Sequence, residues 1–150
     1  MVFYPRATDE PWTKKSPPNY VERAHALVGR TVDEGRVQDI VAFVHMMNSW
    51  ERAKSDKARW RVVGKRQGGI LGAYAALFEP TITEVVVVNP PASHRDGPIF
   101  LNILRVLDIP EALGLLAPRK LILVNAHDKA FDRTVEIYKL AGAESMIERR

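Results

Sequence analysis

The chain contains no cysteine. Disulfides, thiolate metal sites and cysteine nucleophiles are therefore excluded. No apolar run approaches the ~18 residues needed for a membrane-crossing helix. The opening Met1-Val-Phe-Tyr-Pro-Arg6 lacks the apolar stretch of a secretory signal, so a cytoplasmic location is expected. Histidine is scarce. His25, His45, His94 and His127 stand apart, with no His-x-x-x-His or His-Glu-x-x-His spacing, and no metal site is expected. Gly64-Lys-Arg-Gln-Gly-Gly69 fits neither the phosphate-loop nor the dinucleotide pattern, so no nucleotide cofactor is expected. Concentrated charge is lacking too. The net charge is +4, and the basic pairs Lys14-Lys15, Lys65-Arg66 and Arg149-Arg150 are dispersed. A nucleic-acid binder usually gathers its cations on one face, so no nucleic-acid partner is expected.

What the chain does have suits one globular domain, since its 150 residues suffice to bury a core. Residues 1–19 carry Pro5, Pro11, Pro17 and Pro18 and read as an extended arm, with Val2-Phe3-Tyr4 as a candidate edge strand. The domain proper is expected over 20–150. Tyr20 to Val28 reads as a helix closed by Gly29. Thr31-Val-Asp-Glu34 is a capping box, and the helix it opens places Val37, Ile40, Val41, Val44 and Met47 on one face. Residues 51–58 are charged and read as a solvated helix end and loop. Trp60 to Val63 is a short β-branched strand. Gln67 to Phe78 is apolar nearly all round, as a buried helix should be.

Glu84-Val-Val-Val-Val88 and Lys120-Leu-Ile-Leu-Val124 lack alternation, which suggests strands buried in a parallel sheet. Ile99 to Leu107 reads as a helix. A second, short helix capped by Asp108 follows, ending near Ala117. Phe131 to Leu140 is a helix with Val135, Tyr138 and Ala141 inward. Ser145-Met-Ile147 could begin a last strand. Alternating strands and helices predict an α/β fold: a three-layer α/β/α sandwich with a short, mainly parallel sheet and helices on both faces.

In this order the elements resemble the α/β-hydrolase family, most closely its acetyl-xylan-esterase and prolyl-peptidase-like branch. Leu27 to Asp39 is similar to the helix before the nucleophile strand. Val62-Val-Gly-Lys-Arg-Gln-Gly-Gly-Ile-Leu-Gly-Ala-Tyr-Ala-Ala76 is similar to that strand, its sharp elbow and the helix beyond. Glu84 to Asn89 resembles the next strand, and Leu121-Ile-Leu-Val-Asn-Ala-His-Asp128 the strand and loop that present the acidic triad member. The resemblance spans roughly 20–147 and corresponds to the C-terminal half of the family's domain. It implies ester or amide hydrolysis by acyl transfer as the ancestral chemistry.

The resemblance places Arg66 where the family carries its nucleophile. A guanidinium has no hydroxyl or thiol to attack a carbonyl and stays protonated, so it is no base either. Asp128 stands at the acid position. No histidine follows His127 before the sequence given ends at Arg150, so at most one triad member is matched and little or no hydrolysis is expected of the chain alone. Arg66, with the N–H groups of Gln67 and Gly68 at a helix start, could instead hold a small carboxylate or phosphate. The alternative is an arginine turned to solvent in a dead site. Gly64 and Gly68 are expected to give the elbow its room.

His127-Asp128 are adjacent and cannot orient one another. Asp128 could pair with Arg66 or cap the helix from Phe131. Ser93-His94-Arg95-Asp96 contains all three triad residue types, but contiguous residues do not form triad geometry. Arg66, His94 and Asp128 all follow strand ends and are expected on one rim, where open α/β sheets bind ligands. The edge of the first strand is expected to be open, covered by the arm or by a second copy, which makes a homo-oligomer the expected state.

Overall fold

The computed structural model describes residues 1–8, 20–52 and 58–150. The expected positions 9–19 of the arm and 53–57 of the charged loop lie outside these. Thr31 and Glu34 make the reciprocal cap. Glu34 N–H donates to Thr31 Oγ1 at 3.1 Å, and Thr31 N–H to Glu34 Oε2 at 3.2 Å. That cap separates α1 (Tyr20–Leu27) from α2 (Val32–Arg52). The elements that follow are β1 (Trp60–Lys65), α3 (Gln67–Phe78), β2 (Ile82–Val88), α4 (Ile109–Gly114), β3 (Lys120–Val124), α5 (Asp132–Leu140) and β4 (Ile147–Arg149). None of the helices is long and apolar enough to cross a membrane among the described residues.

The strands form one sheet in the order β1-β2-β3-β4, every pair parallel. The α/β class and the short parallel sheet are thus as expected. Consecutive neighbours joined by right-handed crossovers send every connection to the same side. Accordingly α2 packs on α3, α3 on α4 and α4 on α5, a continuous helical layer. Val85, Val87, Leu121 and Leu123 point into it, fully buried in one core with Ile70, Leu113 and Tyr138.

On the opposite face Arg61, Val63 and Lys65 of β1 are exposed. There the Glu84 carboxylate lies 3.4 Å from Arg61 Nε and 3.6 Å from Lys120 Nζ, a charged stripe across three strands. Val86 and Ile122, in the middle of the same face, are buried.

Four local expectations change. Ile99 to Leu107 is not a helix: Asn102 sits at φ 60°, and only Ile103–Arg105 forms a 3-10 turn. Ile99 N–H is drawn instead to Asp33 Oδ2 at 2.7 Å. Val2-Phe3-Tyr4 is not a strand. Phe3 stacks on Phe43 at 4.3 Å, and Arg6 grips Asp39 through its backbone N–H and Nε at 2.9 and 2.8 Å, fastening the arm to α2. The Asp108-capped helix stops at Gly114, short of Ala117. Ala141 is exposed, because α5 has already ended at Leu140.

At the amino ends of the strands a half-buried polar chain ties α2 to the sheet. Trp60 Nε1 donates to Asn48 Oδ1 (2.6 Å), Asn48 Nδ2 to Thr81 Oγ1 (3.0 Å), and Thr81 Oγ1 to Glu79 Oε1 (2.7 Å). His45 Nε2 closes it 2.5 Å from Glu79 Oε2. Burial alone would raise the Glu79 pKa. The Thr81 hydroxyl and N–H, with His45, outweigh burial and hold it below the usual carboxylate range.

Candidate functional site

The carboxyl ends of the strands share one device. Arg66 N–H donates to Val88 O, Asn89 N–H to Val124 O and Asn125 N–H to Arg150 O, each at 2.8 Å. Each donor has positive φ: Arg66 54°, Asn89 50° and Asn125 56°. Asparagine tolerates that region; arginine seldom occupies it. Arg66 also has ψ −131°, so it stands at the apex of a sharp strand-to-helix turn.

The turn is made by glycines. A Cβ on Gly64 would lie 2.5 Å from the Cα and N of Gly69, and one on Gly69 would lie 2.4 Å from Val87 Cγ1. Gly68, expected to share this task, has nothing within 4 Å of where its Cβ would be. The close approach falls one residue later because Gly69 is the first to turn inward on α3; Gly68 remains exposed.

Arg66 is exposed and makes no ion pair or side-chain hydrogen bond among the described residues. Gln67 and Gly68 occupy the first turn of α3, where N–H groups have no intrahelical acceptor. The Gln67 side chain reaches away from the apex and donates to Asp96 O at 2.9 Å. Asp128 Oδ1 accepts from Ala130 N–H at 2.8 Å and caps the 3-10 turn Lys129–Phe131 that leads into α5. Of the two roles open to it, capping is the one adopted. His127 is exposed beside it.

His94 does not join this rim. It is buried, with Nδ1 2.8 Å from Pro98 O and Nε2 2.8 Å from the Tyr74 hydroxyl. A carbonyl only accepts, so Nδ1 carries the proton and Nε2 accepts from Tyr74. Both nitrogens are engaged, and the ring packs against Phe100. Burial raises the Tyr74 hydroxyl pKa well above its ordinary value. Ser93 Oγ donates to Asp108 Oδ2 at 2.6 Å rather than facing an imidazole. The Ser93–Asp96 stretch is therefore no triad. Asp108 also accepts from the N–H groups of His94 (2.7 Å) and Ile109 (2.8 Å). Burial works against ionisation there, but these donors hold its carboxyl below the usual range.

Two features escaped sequence reasoning. One is the Asn89–Asn125 contact, in which Asn125 Nδ2 donates to Asn89 Oδ1 at 2.9 Å. Its signal was present: both strands end in Val-Asn, at Val88-Asn89 and Val124-Asn125. The other is a groove of about 680 Å³ between the arm and β1, which reaches Gln67 and Gly68 at the elbow. Nothing in the sequence located it, because it depends on how Phe3 and Arg6 fasten to α2.

The chain shares its α/β fold with a solved structure. It is similar to a Bacteroides fragilis NCTC 9343 protein whose assignment as an acetyl xylan esterase is provisional, with 17% identity and a TM-score of 0.57. The match takes in 87% of this chain and 39% of that one, so the chain spans well under half the length of the solved relative. At such identity the likeness concerns the fold. No protein-family model matches the sequence. No curated protein does either.

Proposed function

We propose that this chain is a hydrolase-like domain of carboxylic-ester or peptide hydrolase ancestry that performs no acyl transfer by itself. One observation carries the reading: the elbow apex, strained and exposed as a nucleophile's position is, holds Arg66. A protonated guanidinium can neither attack a carbonyl nor take a proton from water. The supporting arrangement around it points the same way. Asp128 is committed to a cap and His94 to Tyr74 and Pro98. Hydrolysis of p-nitrophenyl acetate tests the reading. The expected rate is that of the buffer blank. Turnover well above the blank, abolished by Arg66→Ala or Asp128→Ala, overturns it.

A second reading makes the same rim a small-anion site. Its support is the uncompensated Arg66 cation beside the Gln67 and Gly68 amides at the positive end of α3. A rise in melting temperature with acetate or phosphate, lost in Arg66→Ala, is its expected signature.

A further inference from the structure

The groove beside β1 is bounded on one side by Met1–Pro5 and on the other by Trp60–Gly64; Ile40, Phe43, Val44 and Leu71 also line it. Among the described residues β1 is the edge of the sheet and pairs with β2 alone. In a parallel ladder alternate residues send both N–H and C=O to the same neighbour. Trp60 and Arg66 donate toward the β2 side, to Thr81 O and Val88 O. Arg61, Val63 and Lys65 therefore present their peptide groups to the groove side. No described residue of the arm bonds to them. Among the described residues the groove lining holds Arg36, paired with Asp33, and Arg61, 3.4 Å from Glu84, and no acidic side chain. β1 runs toward the elbow, so Arg66 and the free amides of α3 stand at its carboxyl end.

We propose that this edge takes up an extended peptide as a fifth, parallel strand, its C-terminal carboxylate at the elbow. Parallel entry is what the charges select. The peptide's anionic end meets Arg66 and the helix start, whereas antiparallel entry would place an ammonium there. Alternate side chains fall on two sides. Those on the helical side enter the apolar groove and should be apolar; those on the other side pass Arg61 and Lys65 and should be acidic.

A second copy fits less well. A two-fold pairing of β1 centred on Val63 sets Arg61 against the partner's Lys65, and like charges directly opposed are destabilising. The inference rests on the non-catalytic reading above. Its failure would be separately visible: loss of peptide binding with no ester turnover defeats this inference alone, and ester turnover defeats that reading.

The probe is a fluorescein-labelled hexapeptide, Glu-Val-Glu-Val-Glu-Val, with a free carboxylate, followed by anisotropy. Saturable binding is expected. The C-terminal amide should bind about tenfold more weakly, the worth of one charge-assisted hydrogen bond. The Lys-Val analogue should not bind. Arg61→Glu should weaken the Glu peptide and admit the Lys peptide. Val63→Pro removes one outward N–H without altering charge and should weaken both the free acid and the amide. If Val63→Pro fails to fold, the Arg61→Glu exchange still decides. No binding, equal binding of acid and amide, or indifference to Arg61→Glu overturns the proposal. So does a dimer in light scattering that the peptide does not dissociate, since a second copy would then own the edge.

Discussion

The two faces of the sheet are built from different residues and lead different lives. On one, Leu121, Leu123, Val85 and Val87 are wholly enclosed by α3, α4 and α5. On the other, Val63 at the β1 edge is 61% exposed and Arg61, Glu84 and Lys120 form a charged stripe, while Val86 and Ile122 in the middle of the sheet are buried. β1 shows the difference within one strand, since its residues alternate between half-buried and exposed. Most of the fully enclosed strand side chains therefore lie on the helical face. The rim and the open edge are left to do other work.

The largest expected effect tests that division. Leu123→Ala should cost about 2–5 kcal/mol in a urea melt, because a fully buried side chain leaves a cavity. Val63→Ala should change stability by no more than about 0.5 kcal/mol. Equal losses would mean that the second face is covered in solution.

A smaller effect sharpens the contrast at the amino ends of the strands. The folded-state pKa of Glu79 is lowered. Its stabilisation is therefore complete above the unfolded carboxylate value, about 4.3, and is lost as pH falls through the lower folded value. The stability of Glu79→Gln should fall less steeply than wild type below that pH, with the two curves parallel near neutrality.

A further effect concerns the elbow. Arg66→Gly relieves a positive φ at a bulky residue and gives back part of the gain as chain entropy, so a net stabilisation of about 1 kcal/mol is expected. A loss of stability would show that the guanidinium has a partner.

Much of this fold was legible in the sequence. Unalternating runs at 84–88 and 120–124 gave buried parallel strands, and Thr31 with Glu34 gave the start of α2. The strand order was not legible, because alternation of elements says nothing about which strands become neighbours. Ile99–Leu107 misled for another reason: its apolar residues have helical spacing, but Asn102 and the Asp33 bond break the repeat. At the candidate site, the elbow could be read from Gly64 and the apolar run behind it. The fate of His94 could not, since Tyr74 and Pro98 reach it from separate segments. Asp128 follows a strand as a triad acid would. It turns to Ala130 because a 3-10 turn begins at the next residue, Lys129, and offers the Ala130 amide.

The elbow has a consequence that extends past arginine. Its shape is imposed from beneath, by the bare backbone contact of Gly64 with Gly69 and the bond from position 66 to Val88. The side chain at the apex takes no part in holding it. Position 66 is thus a mounting point, and the scaffold would offer a different occupant to the surroundings in the same pose.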